Sequence, residues 1–470
     1  MSLDPDDWDA FSAQAHAALD RAIARLRDVR DGPVWRPAPA DVLQALTAPA
    51  PAAARPFGAV LDDVERLVAP YVTGNTHPLF MGWVHGAGTP YGMVAEMLAA
   101  GLNANCGGRN HIGPVVERQV TAWMAAAFGF PADASGLLTT GASQANLVGV
   151  LVARARALGV EVRPGGVAGR PRLTAYASAE AHGCVAKAMD IAGLGSDQLR
   201  RLPTDEDGGL SLAALEAAIA ADRVAGLAPF LVVGSAGTVN TGAFDDLAAL
   251  AGVCAAEGLW FHVDGAFGAL AAFSPRLKPR LSGLERADSV AFDFHKWAHV
   301  PYDAGFVLVR DAAAHRATFA NPLDYLSREP AGLAAGETWP CDLGPDLSRG
   351  FRALKVWVTL QTLGTDALGA AMEANCEAAA HLARRIEASD RFELAAPAGL
   401  NIVCFGVRGD AEGAVARRLV MALHESGRAA PSTTVRGGRT VVRAAIFNHR
   451  TTLADIDGFM ADLHETLAGL

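Results

Sequence analysis

Lysine is scarce in this sequence, and clusters of basic residues are absent from it. Lys and Arg together number 40 among the 470 residues, yet only four of these residues are lysines. The formal net charge of −10 comes from scattered acids. Proteins that bind nucleic acid or anionic membranes usually carry a basic patch. The composition therefore predicts neither kind of partner and favours a metabolic protein with a small-molecule substrate.

Paired cysteines and long apolar runs are also missing. The six cysteines are far apart and form no CxxC motif, so we predict reduced thiols. The first residues, MSLDPDDWDAF, are acidic where a secretory signal is basic and then apolar. Apolar stretches such as residues 247–254 are too short and interrupted to span a bilayer. We therefore expect a cytoplasmic protein with no membrane partner.

Two short apolar runs end in acids, at Asp264 and at Asp293, and Lys296 follows the second run. Runs of this length bounded by Gly and Pro are typical of buried parallel strands. The carboxyl ends of such strands are where α/β sheets place ligand groups. We therefore predict that Asp264 and Lys296 meet at one edge of a sheet. The length of the chain favours a large domain with a smaller one beside it.

An acid and a lysine at one sheet edge match the needs of pyridoxal phosphate. A lysine amine forms a Schiff base with the aldehyde of this cofactor, and a carboxylate keeps the pyridine nitrogen protonated. Lys296 and Asp264 are the predicted pair. The other lysines have ordinary interpretations, because Lys278 lies in a Pro-flanked loop while Lys187 and Lys355 lie in helical patterns with solvated stems.

A metal site is the alternative interpretation of the same stretch. His262 and Asp264 share a strand face, and His295 and His299 are spaced four residues apart, so either pair could hold a cation. Neither pair has further ligands nearby, and no HExxH motif occurs. We therefore predict no metal and place His295 beside the cofactor phosphate.

The motifs HVDGAFG, DFHKW and VPYDAG resemble those of the group II pyridoxal-phosphate-dependent amino acid decarboxylases, which include the aromatic amino acid and glutamate decarboxylases. The likeness extends from about His77 into the C-terminal region. It implies an α/β protein of the type I pyridoxal-phosphate (aspartate aminotransferase-like) fold, with a large, mostly parallel sheet domain and a small C-terminal α+β domain. It also implies that the protein decarboxylates an L-amino acid.

The expected domains follow from this resemblance and from the Pro-rich and Gly-rich segments. Residues 1–70 form an N-terminal helical arm and linker, and residues 71–325 form the large cofactor domain. Residues 326–365 form a mobile loop and connecting helix, and residues 366–470 form the small domain.

Several further residues are expected to hold the cofactor. Ala142 and Ser143 open a helix whose N-terminus can bind a phosphate, although a Ser at this place is often only a helix cap. In the resembling family a histidine at the position of His182 stacks on the cofactor ring and touches the substrate carboxylate. A threonine at the position of Thr238 reaches the phenolate side, and Ala266 lies in the HVDGAFG motif.

Substrate contacts and a homodimer with shared active sites are implied by the same resemblance. Trp83 and His85 would line the substrate pocket, although a histidine among apolar residues is as often a core group. Arg109 and His111 lie in a Gly-rich loop that would approach the neighbouring subunit's site, or would simply be solvated. Arg443 would tie the small domain to the site, or would form a surface salt bridge.

The sequence departs from the family in one loop. Many members carry a tyrosine there that returns a proton to the substrate carbon, and residues 327–345 contain none, while Tyr325 lies upstream of the loop. An aldehyde synthase or carbon–carbon lyase using the same cofactor therefore remains an alternative. A non-catalytic pyridoxal-phosphate-binding regulatory paralogue is an alternative of another class. The sequence does not specify which amino acid is the substrate.

Overall fold

The structure, a computed structural model, describes residues 2–321, 327–336 and 338–470. The helices are α1 (Trp8–Arg27), α2 (Ala40–Ala45), α3 (Phe57–Asp63), α4 (Pro90–Leu102), α5 (Ile112–Phe128), α6 (Ala142–Leu158), α7 (Val162–Gly165), α8 (Cys184–Ile191), α9 (Leu212–Val224), α10 (Leu247–Glu257), α11 (Ala312–Phe319), α12 (Arg352–Glu387), α13 (Ala414–Glu425) and α14 (Leu453–Ala468).

The strands follow the same chain order and are short. They are β1 (Phe80–Met81), β2 (Ser135–Thr139), β3 (Leu173–Ser178), β4 (Leu199–Leu202), β5 (Ala228–Ser235), β6 (Trp260–Asp264), β7 (Ser289–Asp293), β8 (Gly305–Val309), β9 (Phe392–Leu394), β10 (Ile402–Val407), β11 (Ala430–Arg436) and β12 (Arg439–Ala445).

The larger of two compact units comprises residues 84–377 and 398–402. Its seven-stranded sheet has the order β2-β8-β7-β6-β5-β3-β4. Strands β3 to β7 pair in parallel, and β8 runs antiparallel to β2 and β7. Every residue of β6, β7 and β8 is buried, which explains why these strands are almost continuous apolar runs. The predicted large, mostly parallel sheet is confirmed.

The other unit comprises the residues up to Trp83, Ala378–Pro397 and Val403–Leu470. Its sheet has the order β1-β11-β12-β10-β9, with β1 parallel to β11 and antiparallel pairing of β11 with β12 and of β9 with β10. Helices α13 and α14 supply Leu419 and Phe459 to its core. Thr452 and Asp455 form a capping box that begins α14. The predicted small α+β domain is confirmed.

The compact units and the predicted domains divide the chain at different places. The units change after Trp83 and after Glu377, whereas the domain boundaries were predicted at 70/71 and 365/366. Strand β1 explains the first difference, because it pairs with β11 and so belongs with the C-terminal sheet. The domain ranges stay a prediction, and Tyr325 and the first residue of the predicted mobile loop, position 326, lie outside the described residues.

Helix α12 is interrupted at Gly364. Gly364 has a φ of 72° and a ψ of 162°, so it interrupts the helical backbone between two helical segments. A positive φ is easily adopted by glycine, which has no Cβ to clash with the backbone. In the part of the chain that is described, no helix combines the length and hydropathy that crossing a membrane requires.

Candidate active site

The carboxyl ends of β6 and β7 bring two acids together. The strands are parallel neighbours, and Asp264 is in register with Ala291. A short bridge joins the two ends, because the Ala266 N–H donates to Asp264 Oδ1 at 3.1 Å and the Ala266 carbonyl accepts from the Asp293 N–H at 3.0 Å. Asp264 and Asp293 are 6% and 2% exposed. This sheet edge therefore holds two buried carboxylates. Asp264 lies thirty-two positions before Lys296, and Asp293 lies three positions before it.

Lys296 reaches back to the nearer acid. Its Nζ lies 2.8 Å from Asp293 Oδ2, and 20% of its side chain is exposed. Burial lowers the pKa of Lys296, but the charge and hydrogen bond of Asp293, with Asp264 adding to them, outweigh burial and raise the pKa above its usual range. Lys296 is therefore an ammonium group at neutral pH. Sequence reasoning overlooked Asp293 as its partner, although the spacing of three residues could have revealed it.

The turn that opens α6 lies against the same edge. The Ala142 N–H donates to Asp293 Oδ1 at 2.6 Å, and Ser143 is exposed in the first turn of this 17-residue helix. The turn also lies directly on the start of β8, since a Cβ on Gly305 would be 2.3 Å from Gly141 Cα. Any side chain at position 305 would push the α6 N-terminus away from the cluster.

His295 packs beside the same acid as a neutral ring. Its Nδ1 accepts from the Ala304 N–H at 3.0 Å, and its Nε2 lies 3.7 Å from Asp293 Oδ2. Burial lowers the pKa of His295 to about 4, and the smaller effects of neighbouring charges act in both directions, because acids raise the pKa and lysines lower it. Because Nδ1 accepts a bond, the single ring proton is on Nε2. His295 is therefore available as a hydrogen-bond donor rather than as a cation.

The Tyr302 ring lies between the rings of His295 and His85. The Tyr302 ring centroid lies 4.3 Å from that of His295 and 6.0 Å from that of His85. Burial lowers the pKa of His85, and the charge of Lys296 lowers it further, so His85 lies within electrostatic reach of the lysine. Tyr302 was not singled out from the sequence, although it lies inside the VPYDAG motif. Its side chain is a new member of the candidate site.

Cys184 connects His182 with the acid at the end of β6. His182 is exposed, and its Nδ1 accepts from the Cys184 N–H at 3.2 Å. The Cys184 thiol lies 3.8 Å from Asp264 Oδ2. His182 therefore lies two positions before Cys184, which contacts Asp264 directly.

Thr238 is engaged within its own loop. It is buried, its hydroxyl accepts from the Ala243 N–H at 3.1 Å, and its Oγ1 is 3.1 Å from that of Thr241. These contacts shape the turn after β5. A direct role of Thr238 toward the cofactor stays a prediction.

Arg109 and His111 have local partners in this chain. The Arg109 guanidinium lies 4.7 Å from the centre of the buried Trp339 ring. His111 begins α5, because its Nδ1 accepts from the Gly113 N–H, and its Nε2–H donates to the Asn105 carbonyl at 3.2 Å. Their contact with substrate in a neighbouring subunit stays a proposal.

Trp83 and Arg443 belong to the unit with the C-terminal sheet. Arg443 is 3% exposed and donates to the Trp83 carbonyl at 3.0 Å and to Ser432 Oγ at 3.3 Å. Burial lowers the pKa of Arg443 to about 10. The surface salt bridge considered for Arg443 is therefore wrong, because the guanidinium is buried. The Trp83 side chain is 56% exposed.

The prediction of a solvated Lys355 is also wrong. Its side chain is 3% exposed and forms an ion pair with Glu96. A helical pattern shows which residues share a face but does not show which neighbour covers that face. Lys187 is exposed, as predicted, and Lys278 in its Pro-flanked loop is also exposed.

The chemistry of these groups fits pyridoxal phosphate. The cluster offers an amine for the aldehyde, a buried carboxylate for the pyridine nitrogen, and a helix N-terminus with the Ser143 hydroxyl for the phosphate. All of these groups belong to the larger unit.

Comparisons with known proteins agree with this chemistry. Residues 39–408 match the pyridoxal-dependent decarboxylase conserved domain. The chain is 32% identical over 455 residues to an aromatic-L-amino-acid decarboxylase of Bacillus atrophaeus, covering 94% of this chain and 92% of that one. It is 30% identical to a 3,4-dihydroxyphenylacetaldehyde synthase of Drosophila melanogaster, covering 99% and 93%.

A solved structure gives the same result for the fold. A tryptophan decarboxylase of Oryza sativa, in a structure described as containing PLP and tryptamine, superposes with a TM-score of 0.91 at 27% identity and covers 100% of this chain and 99% of that chain. The predicted type I fold is therefore confirmed. With the domain match over most of its length, the chain belongs to the group II pyridoxal-phosphate-dependent amino acid decarboxylase family.

Proposed function

We propose that the protein removes the carboxylate of an L-amino acid, with Lys296 attaching pyridoxal phosphate covalently and Asp264 facing its pyridine nitrogen. The observation that carries this proposal is the convergence of Lys296, Asp264 and the α6 N-terminus at one sheet edge. The bound cofactor supplies an electron sink for the bond that breaks at the α-carbon. Activity as a pyridoxal-phosphate-dependent carboxy-lyase agrees with the family.

Four side chains of this protein have separate roles in the proposed reaction. Asp264 holds a negative charge where a ring nitrogen needs a proton, and each of its oxygens already accepts one protein donor. Asp293 compensates the positive charge of Lys296 before the cofactor is attached to this lysine. His295 would donate its Nε2–H to the cofactor phosphate, and His182 would cover the cofactor ring. Such fixed groups act strongly because the site is partly screened from water.

The source of the proton for the substrate's α-carbon decides whether the product is an amine or an aldehyde. After carbon dioxide leaves, this carbon needs a proton, and residues 327–345 supply no tyrosine. Tyr302, whose ring lies tilted against that of His295, and the exposed His182 are the hydroxyl and imidazole groups that we propose as proton donors. Relatives include both decarboxylases and an aldehyde synthase, so family membership leaves both outcomes open.

We expect a panel of L-amino acids to yield an amine accompanied by some aldehyde. Slow protonation gives oxygen time to react, and an amino acid, oxygen and water then become aldehyde, carbon dioxide, ammonia and hydrogen peroxide. Tyr302→Phe should raise the aldehyde share if its hydroxyl is the donor. Amine, aldehyde, peroxide and oxygen uptake are measured together.

Tyr176→Phe is the matched control, because this tyrosine is buried in β3 and bonded to Asp222. It should leave the product ratio unchanged. Clean amine from the unmodified protein, with no oxygen uptake, would show that another group protonates efficiently and that the missing loop tyrosine has no chemical consequence.

We also propose a homodimer with shared sites. One face of α4 is apolar yet exposed, and Ile112 at the start of α5 is 66% exposed. Exposed apolar faces of this kind mark protein interfaces. The residues on the α4 face are Tyr91, Val94, Met97, Leu98 and Leu102, which are 47%, 37%, 49%, 53% and 63% exposed.

Complementation tests the shared site. An Arg109→Ala, His111→Ala chain mixed with a Lys296→Ala chain should regain part of the activity. One of the two hybrid sites then has every residue intact, provided that the loop acts on the neighbouring subunit. Activity is measured on heterodimers isolated with two different affinity tags.

The control mixture pairs Lys296→Ala with Asp264→Ala. Both residues belong to one unit of one chain, so no hybrid site is complete and no rescue is expected. If neither mixture regains activity, the proposal of a shared site is contradicted. A cytoplasmic location completes the proposal, supported by six cysteines that form no disulfide within the chain.

A further inference from the structure

A continuous chain of buried side chains leads to Asp264. Each neighbouring pair in this chain is hydrogen-bonded, and every member is at most 8% exposed. The distances are 2.8 Å from Trp260 Nε1 to Ser289 Oγ, 2.7 Å from Ser289 Oγ to His262 Nδ1, 2.8 Å from His262 Nε2 to Asn146 Oδ1, 3.6 Å from Asn146 Nδ2 to Cys184 Sγ and 3.8 Å from Cys184 Sγ to Asp264 Oδ2.

The chemistry of the groups fixes the direction of every bond. The Asn146 carbonyl oxygen can only accept, so His262 Nε2 carries the ring proton and Nδ1 accepts from Ser289. Trp260 donates to Ser289, since an indole N–H cannot accept. The Asn146 amide donates to Cys184 and, at 2.8 Å, to the Ala142 carbonyl. The thiol proton is therefore left to donate to Asp264.

The surroundings hold this arrangement in place. The His262 ring lies on α6 so closely that a Cβ at Gly149 would be 2.6 Å from its Cε1. Burial lowers the pKa of His262 to about 4, so the ring stays neutral. Burial, with the charge of Asp264 adding to it, raises the pKa of Cys184, so the thiol keeps its proton.

We propose that Cys184, oriented by Asn146, is a positioning residue that fixes the Asp264 carboxylate toward the cofactor's pyridine nitrogen. The thiol holds Oδ2 while the Ala266 N–H holds Oδ1, so the carboxylate cannot rotate without breaking a bond. This inference rests on the proposed function of Asp264.

Substitutions at Cys184 test the inference through cofactor binding. Cys184→Ala and Cys184→Val remove the donor, and the valine also excludes a replacement water. Both should raise the cofactor dissociation constant about three- to tenfold, which is the net effect of losing one ordinary hydrogen bond, because a thiol is a weak donor even to a carboxylate. Both should also change the balance of the absorbance bands of the bound cofactor. Cys184→Ser retains a donor and should stay within about twofold of the unmodified protein.

Cys254→Ala is the matched control, because Cys254 is a buried thiol in α10 of the same unit and lies outside this chain of bonds. It should change neither the dissociation constant nor the spectrum. Melting temperatures of the cofactor-free variants detect any general loss of stability.

Asp264→Ala distinguishes the positioning role of Cys184 from the proposed role of Asp264 itself. If Cys184→Ala and Cys184→Val both match the unmodified protein in binding and spectrum while Asp264→Ala loses the spectral signature, the positioning role is overturned and the proposed function stands. If Asp264→Ala is also unchanged, the role of Asp264 in the proposed function is wrong. A spectral change in the alanine and valine variants that serine restores supports the positioning role.

Discussion

Lys296→Ala is expected to abolish covalent retention of the cofactor and to lower turnover on the order of 10³-fold or more, as the loss of a covalent catalytic group usually does. The protein should also lose about 1–3 kcal/mol of its free energy of unfolding, because the buried Asp293 loses a charged hydrogen-bond partner. A larger loss is not expected, since the Ala142 N–H still bonds this carboxylate.

Lys296→Arg separates attachment from charge. Arginine keeps a cation near Asp293 but cannot bond covalently to an aldehyde, so stability should recover while attachment does not. Borohydride reduction followed by peptide mapping locates the modified lysine in the unmodified protein. The buried Lys355 is the informative comparison, and a label there or on either surface lysine would refute the assignment to Lys296.

Asp264→Ala is expected to bind some cofactor yet lose turnover on the order of 10³-fold, because an unprotonated ring accepts electrons poorly and the charge acts in a site of low dielectric constant. Asp264→Asn should lose nearly as much, since it keeps the size of the side chain and removes only the charge. Steady-state kinetics at saturating cofactor give the effect on turnover, and absorbance titration gives the effect on binding. Near-normal turnover in the asparagine variant would eliminate the charge-based role.

The main features of the site could be predicted because strand ends and chemistry coincide. Asp264 and Lys296 are marked by apolar runs that end beside them, and parallel strands must present their carboxyl ends together. The α6 turn was predictable for a similar reason, since a strand leading into Gly–Ala–Ser opens a helix. These inferences need only local patterns.

Contacts between distant side chains could not be predicted. Cys184 reaches Asp264 only in the folded chain, where α8 packs on α6, and a lone cysteine gives no local signal of that contact. Lys355 is buried because Glu96, on another helix, covers it. A surface salt bridge was one of two interpretations of Arg443 because arginines are usually exposed, yet the guanidinium is buried and donates to the backbone carbonyl of Trp83, far away in sequence.

The groups at the sheet edge come from segments that are far apart in the sequence, at the start of α6 and at the ends of β6 and β7. An unfolded chain therefore contains no cofactor site, and binding couples to folding. A ligand that binds only the folded state adds about 2.7 kcal/mol of stability at a hundred times its dissociation constant. We therefore expect the supply of cofactor in a cell to influence how much of this protein escapes proteolysis, in addition to how fast each molecule works.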